Sequence, residues 1–221
     1  IELIIVKTEA DDVLSKLISL FTKKETSRQI DEGTRLYSTD ILGFTNREIQ
    51  AETYAKVASL IPQEDSILDF GCGRGDYFNW HGSTYGPNTI NYTGVDIDKT
   101  LIDAGKELYK GIKLINKDWN RLPNKIVCDW SIKINSNNYQ YQKKNKDNIT
   151  HLHETIDVMY KHANKGTIIL LASDIVDNKI DWIKYNPGKV LNWARSKYKN
   201  VIIDHSSFMN SFILVIYKNK N

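Results

Sequence analysis

The feature that most constrains this chain is a run of three alternating glycines placed directly after an apolar strand. Residues 67–76 read ILDFGCGRGD, so Gly71, Gly73 and Gly75 follow Asp69 within a few positions. Glycine adopts positive φ at no steric cost and lets a ligand approach the backbone closely. In an α/β sheet such a strand-to-helix turn lies at the carboxyl edge, where ligands bind. The run therefore predicts a ligand-binding turn in an α/β domain, and a glycine turn without a ligand is the alternative.

The spacing of the glycines argues against a dinucleotide. A dinucleotide-binding turn has the pattern G-x-G-x-x-G, whereas this chain has G-x-G-x-G with Asp76 at the place of the last glycine. A carboxylate there would repel a pyrophosphate, but it would suit a ligand that carries an ammonium group and no phosphate. The spacing thus indicates a different ligand.

Two further acidic positions follow predicted strands. Asp96 ends the strand at 92–96 and can accept hydrogen bonds from ribose hydroxyls, while Asp98 is the better candidate for capping the next helix. After the third strand, Asp118 can accept a hydrogen bond from an adenine amino group, and Trp119 can flank the ring. For this pair a turn residue and a core aromatic are equally good interpretations.

Strand-like and helix-like patterns alternate along the chain from residue 66 onward. This alternation predicts a mostly parallel sheet with helices on both faces. The last two strands have no helix between them, so we expect them to form an antiparallel hairpin. The predicted strands are 66–70, 92–96, 113–116, 125–131, 166–172, 200–205 and 211–218, and the predicted helices are about 76–82, 99–109, 147–164 and 187–198.

An additional helix is predicted before the first strand. Thr45 and Glu48 have the spacing of a capping box, and Pro62 ends the helix. Its expected buried face is Ile49, Tyr54, Val57, Ala58 and Ile61, and that of the helix at 147–164 is Ile149, Leu152, Ile156, Met159 and Ala163.

These motifs resemble those of the class I (Rossmann-like) S-adenosylmethionine (SAM)-dependent methyltransferases over residues 46–221. The first motif is LDFGCGRG at 68–75, the second is GVD at 94–96, and the third is KDW at 117–119. The resemblance implies a seven-stranded doubly wound sheet of order 3-2-1-4-5-7-6 and SAM as cofactor. It implies that Asp69, Gly71 and Gly73 line the methionine end, Asp96 the ribose and Asp118 the adenine. The full predicted cofactor set is Asp69, Gly71, Cys72, Gly73, Gly75, Asp96, Ile97, Asp118 and Trp119.

The methyl acceptor is less well indicated. Many amino-directed nucleic-acid methyltransferases carry an (Asp/Asn)-Pro-Pro-aromatic motif after the fourth strand, but residues 131–135 read SIKIN and the chain has no Pro-Pro pair. Candidate general bases are Lys133, Tyr139 and His205; a surface or hydrogen-bonded histidine is the alternative for His205. His151 and His153 face different directions on a helix. His151 and Glu154 could share a face, but two ligands alone make a poor site, so no metal is expected.

Composition and charge limit the class of partner. The net charge of +3 disfavours nucleic acid as a partner, and the apolar runs are too short to span a bilayer. Two cysteines, Cys72 and Cys128, fit a reducing, cytoplasmic setting.

Three functions stay open: methyl transfer to a small-molecule or biosynthetic acceptor, a silent methyltransferase-fold protein in a larger assembly, and a nucleic-acid methyltransferase. A nucleic-acid acceptor would need a basic, aromatic cleft, for which Tyr139, Tyr141, Lys143 and Lys144 are the candidates. Residues 1–45 are predicted to be a separate N-terminal extension, a strand-like start followed by an amphipathic helix. We expect this helix to pack on the main domain; the alternative is a lid or docking arm through which the protein joins an assembly.

Overall fold

The computed structural model describes residues 42–44, 46–136, 145–175, 183–206 and 210–218. Most of the predicted N-terminal extension, including its amphipathic helix, lies outside these ranges. Tyr139, Tyr141, Lys143 and Lys144 lie outside them as well. The predictions made for these parts therefore stay predictions.

Seven strands form one sheet of order β3-β2-β1-β4-β5-β7-β6. The first five are parallel, whereas β7 is antiparallel to both β5 and β6. The predicted order and the predicted C-terminal hairpin are confirmed. The strands are β1 Ser66–Phe70, β2 Asn91–Asp96, β3 Leu114–Asn116, β4 Cys128–Lys133, β5 Ala163–Ala172, β6 Asn200–Asp204 and β7 Ser211–Tyr217.

Helices cover both faces of the sheet, as the alternating pattern predicts. One buried cluster joins a sheet face to residues of the first three helices, and a second cluster joins the opposite face to residues of the last two. The helices are α1 Arg47–Ala58, α2 Asp76–Tyr85, α3 Lys99–Leu108, α4 Asn145–His162 and α5 Pro187–Lys197, with a short 3-10 helix at Trp119–Arg121. The carboxyl ends of the parallel strands thus share one edge between two layers of helices.

The beginning of α1 differs from the prediction. Its N-cap is Asn46, whose side chain accepts a hydrogen bond from the Ile49 amide at 2.8 Å, so the capping box starting at Thr45 is wrong. The predicted burial of Ile49 and Ile149 is also wrong, because they are 42% and 50% exposed. Both residues lie in the first turns of their helices, at the rim of the core, whereas the other predicted face positions are buried.

The fourth strand lies later in the chain than predicted. Lys125 to Val127 have a strand-like pattern, but the Ile126 amide bonds the Pro123 carbonyl in a turn and Val127 is 58% exposed. Pairing with β1 therefore starts beyond this turn, and β4 ends at Lys133. This shift brings Lys133 to the carboxyl edge of the sheet.

Within the described ranges, no helix has both the length and the apolar character needed to cross a membrane.

Candidate functional site

The glycine turn after β1 has the backbone geometry that its sequence predicts. Gly71, Gly73 and Gly75 have φ values of +74°, +56° and +82°, a backbone conformation that residues with a side chain rarely adopt. The amides of Gly71 and Cys72 donate to the Val95 carbonyl at 2.8 and 3.2 Å. The turn is therefore fastened to the end of β2, and α2 begins directly after it.

Asp96 connects this turn to the second motif. One oxygen of its carboxylate accepts from the Gly73 amide at 2.8 Å, and the other accepts from the Asp98 amide at 2.9 Å. Asp98 caps α3 by accepting from the amides of Thr100 and Leu101, as predicted. Asp96 is only partly buried. Because each carboxylate oxygen can accept more than one hydrogen bond, Asp96 retains acceptor capacity toward a ligand.

Asp69 lies beneath the turn, 4% exposed. Tyr92 donates to its carboxylate at 2.8 Å. Burial raises the pKa of Asp69 to about 7, while the hydrogen bond from Tyr92 and the charge of Lys133 oppose the rise. The carboxyl group is thus poised to lose or gain its charge near neutral pH.

Lys133 and Ser136 close the opposite side of the turn. Lys133 is 2% exposed, and its Nζ donates to the Phe70 carbonyl at 3.4 Å. Ser136 Oγ donates to the same carbonyl at 3.3 Å. A Cβ atom at Gly71 would lie 2.4 Å from Ser136 Oγ and 3.1 Å from Lys133 Nζ. Only glycine fits here.

An open cleft lies over this turn. Five residues of the predicted cofactor set line it: Asp69, Gly71, Cys72, Gly73 and Asp96. The sequence motifs do not predict most of the remaining wall, which consists of Leu42, Phe44, Tyr54, Leu101, Ile134 and Ser136, together with the capping residue Asp98. The sequence holds a signal for Ile134 and Ser136, because they follow β4 and the carboxyl ends of parallel strands share one edge.

Asp76 has a different role from the one its position suggested. It does not line the cleft; its carboxylate pairs with the Arg74 guanidinium at 2.6 Å, and both residues are buried. Tyr109 donates to the same carboxylate at 2.7 Å, and Gln50 does so at 3.4 Å. The idea that Asp76 repels a pyrophosphate is therefore wrong. It joins the turn to α1 and to the end of α3.

The residues of the third motif make contacts within the chain. Asp118 caps the short 3-10 helix by accepting from the Asn120 amide at 3.0 Å. Trp119 packs against the second core cluster, with its ring 5.3 Å from that of His151. Neither residue lines the cleft over the glycine turn. Their contacts with an adenine ring stay predictions.

The other predicted site residues lie at varying distances from the cleft. Ile97 follows Asp96 and is 70% exposed. His205 follows β6, which is parallel to β1, but β6 is the far edge strand and the His205 ring packs on Phe212 with 6.0 Å between centroids. Four strand spacings separate β6 from β1, roughly 19 Å. Of the described candidate bases, Lys133 is the one beside the turn.

The charges of the cleft test whether SAM fits. Asp69, Asp96 and Asp98 supply three carboxylates, and the glycines let a ligand lie against the backbone; the Lys133 ammonium lies close to Gly71 but does not line the cleft. A ligand with an ammonium group and a sulfonium is complementary to these carboxylates. A pyrophosphate would be repelled by them. The residues present fit SAM.

Comparisons with known proteins give structural matches alone. Models of known protein families and curated protein sequences give no match. The structure is similar to a magnesium protoporphyrin IX methyltransferase from Synechocystis PCC 6803 with bound SAM (TM-score 0.56, 13% identity, 97% of this chain and 99% of that chain).

Two other methyltransferase structures are also similar. One is the N-methyltransferase NodS from Bradyrhizobium japonicum WM9 with S-adenosylhomocysteine (SAH) (TM-score 0.58, 13% identity, 95% of this chain and 100% of that chain). The other is a Haloferax volcanii putative methyltransferase in complex with the Trm112 activator (TM-score 0.54, 12% identity, 76% and 89%). The chain has the fold of class I SAM-dependent methyltransferases.

Proposed function

We propose that this protein binds SAM in the cleft over the glycine turn and transfers its methyl group to a small-molecule or biosynthetic acceptor. The observation that carries the proposal is the link between Asp96 and the Gly73 amide beside an open cleft. A glycine turn with positive φ values, hydrogen-bonded to a carboxylate at the end of β2, is suited to a nucleoside that carries no phosphate.

Each residue has a role that follows from its charge and position. Asp96 accepts hydrogen bonds from the ribose hydroxyls, and Asp69 receives the ammonium group of the methionine end. Asp118 and Trp119 are the candidates for the adenine, reached from the loop after β3. The left-handed glycines let the ligand lie against the backbone.

When bound, SAM supplies an electrophilic methyl group for in-line displacement. The chain's contribution is to position the acceptor and exclude water, and it adds a base where the acceptor carries a proton. Lys133 is the described candidate base near the turn; burial lowers its pKa to about 8. The proposal gives His205 no role, because it follows the far edge strand.

The acceptor is proposed only by class. The absence of a Pro-Pro motif and the low net charge favour a small molecule over a nucleic acid. The related structures named above include methyltransferases with different acceptors, so the fold does not choose among them. Protein assembly through residues 1–45 and a cytoplasmic location stay predictions.

Calorimetric titration with SAH tests the proposal. The wild-type protein is expected to bind, and Asp96→Ala is expected to weaken binding by roughly 100-fold, because two hydrogen bonds to a charged acceptor are lost. Asp103→Ala is the matched control: it removes one carboxylate from the exposed side of α3 and should leave the affinity within about twofold.

Absence of wild-type binding at millimolar SAH would reject the enzymatic proposal. It would favour the second candidate function, a methyltransferase-fold protein with a structural role.

A further inference from the structure

A second cavity lies at the amino edge of the sheet, where the end of α1, one side of α2 and the start of β1 meet. It has a volume of about 320 Å³ and shares no lining residue with the cleft over the glycine turn. Its walls include the buried side chains of Ile61, Ile67 and Ile90. Cavities of this size bind small molecules. A ligand here would lie at the opposite end of β1 from the cleft, so it would not be the methyl acceptor.

One side chain of α2, His81, offers this cavity a hydrogen-bond acceptor. The Thr89 hydroxyl has a single proton, which it donates to the Gly86 carbonyl at 2.7 Å. The contact of 3.3 Å between Thr89 Oγ1 and His81 Nδ1 therefore requires Nδ1 to be the donor. Burial lowers the pKa of His81 to about 4, so the ring is neutral at neutral pH and its other nitrogen, Nε2, carries no proton. Nε2 makes no hydrogen bond with the described residues.

Tyr77 lines the same cavity and adds a hydroxyl group without a partner. This hydroxyl is buried and makes no hydrogen bond with any residue that the structure describes. A buried polar group without a partner is costly, so a ligand that supplies one is favoured. The rings of Tyr77 and His81 have centroids 6.2 Å apart, so one small ligand can contact both residues.

The lining of the cavity favours an uncharged ligand. No lysine or arginine is among its described lining residues, so an anion would find no opposite charge there. Its one carboxylate, that of Asp65, already pairs with Lys165 and accepts from the Trp130 indole at 2.9 Å, so a cation would compete with Lys165. Tyr85 extends the aromatic wall, with its ring centroid 4.7 Å from that of His81. A flat, uncharged ring is therefore complementary to these walls.

We infer that this cavity is a second binding site, which takes a small uncharged aromatic molecule that carries a hydroxyl group. The ligand hydroxyl donates to Nε2 of His81 and accepts from Tyr77, while the ring packs against Tyr85 and the three isoleucines. The inference does not depend on the proposed function, because the site uses none of the residues of the cleft.

Phenol and its methyl ether, anisole, are the probes, because they differ in the proton that His81 accepts. NMR titration of isotope-labelled protein measures both affinities and shows which amide signals move. Wild type should bind phenol roughly 3- to 10-fold more tightly than anisole, the size of one neutral hydrogen bond. The amide shifts should lie within residues 58–67 and 77–90, which hold the cavity lining, and not at the glycine turn.

Three variants assign the contacts. His81→Phe keeps a ring and removes the acceptor, so the preference for phenol should fall to about twofold or less. His153→Phe changes a histidine of α4 outside the cavity lining and should keep the wild-type preference. Tyr77→Phe removes the hydroxyl without a partner. It should weaken the binding of both probes and leave the melting temperature of the ligand-free protein unchanged or raise it.

The outcomes that would overturn the inference are equally distinct. Wild type that binds neither probe at millimolar concentration, or binds both equally, would remove the role of His81. Amide shifts centred on the glycine turn would mean that phenol enters the cleft instead. A lower melting temperature of Tyr77→Phe would mean that the hydroxyl has a partner within the protein and is not reserved for a ligand.

Discussion

At the scale of single residues, the cleft depends on ionisable groups that the fold keeps out of water. Asp69 and Lys133 lie on opposite sides of the glycine turn. Burial raises the pKa of Asp69 to about 7 and lowers the pKa of Lys133 to about 8, so in both residues it favours the neutral form. Neither shift arises from a direct ion pair between them. The glycine turn therefore has a buried acid and a buried base beside it, and the charged form of each is costly while no charged ligand is bound.

This cost makes the stability of the ligand-free protein depend on pH. The pKa of Asp69 rises from 3.8 to about 7, so the folded state binds a proton that the unfolded state has lost. Stability should therefore fall as pH rises between about 4 and 7, by at most roughly 1.4 kcal/mol per pH unit. Asp69→Asn should remove this slope, and urea unfolding at several pH values measures it.

Asp129 provides a control of opposite sign. Burial alone would raise its pKa, but hydrogen bonds from Ser66 and Lys165 outweigh burial and the pKa is lowered. Asp129→Asn should therefore lose stability that wild type has above about pH 4. Equal slopes in wild type and Asp69→Asn would contradict the assignment of a raised pKa to Asp69.

At the scale of elements, α3 packs so closely on the glycine turn that one of its own glycines is required. A Cβ atom at Gly105 would lie 2.1 Å from the backbone oxygen of Arg74, which belongs to the turn. Among the residues that the structure describes, a Cβ atom at Gly82 in α2 would meet no atom of another element within 4 Å. Close packing therefore requires glycine at position 105, whereas position 82 has room for a side chain.

Gly105→Ala should destabilise the protein by roughly 1–3 kcal/mol, because the added methyl group meets backbone that cannot move aside. It should also weaken SAH binding, because Arg74 would be displaced within the turn. Gly82→Ala should instead stabilise the protein by about 0.5–1 kcal/mol through helix propensity and leave binding unchanged. Thermal unfolding and calorimetry check both variants. A Gly105→Ala protein that is more stable than wild type would contradict the close packing.

The elements also show how far the sequence could predict this structure. The strand order follows from the alternating pattern and the resemblance, and the place of Asp96 beside the turn follows from its position at the end of β2. The pattern could not fix β4, since residues 125–127 look like a strand until the Ile126–Pro123 turn is known. It also could not place Phe44 and Tyr54 at the cleft, because they come from outside the strand ends. The burial of Lys133 depends on packing that no local pattern records.

At the scale of the whole molecule, the two edges of the sheet are built differently. The carboxyl edge has the open cleft, the left-handed glycines and the buried ionisable groups Asp69 and Lys133. The amino edge has satisfied polar contacts: Asp65, 2% exposed, accepts from the Trp130 indole at 2.9 Å and pairs with Lys165. Ser66 donates to Asp129 through both its amide and its hydroxyl, at 2.9 and 2.7 Å. These contacts fasten β1 to β4 and β5 at the end away from the cleft.

This division predicts that removing a carboxylate at the amino edge lowers stability, whereas removing one at the carboxyl edge lowers SAH affinity. Asp65→Ala leaves a buried indole N–H without an acceptor and should lower the free energy of unfolding by roughly 2–3 kcal/mol. Its SAH affinity, measured where the variant is fully folded, should match that of wild type, because β1 separates Asp65 from the turn. Asp96→Ala, which removes the same charge from the carboxyl edge, should lose most of its SAH affinity. Urea unfolding and calorimetry on both variants give the comparison. A loss of SAH affinity in folded Asp65→Ala as large as that in Asp96→Ala would show that the edges are not independent, because the strain at one end of β1 would then have reached the glycine turn at the other.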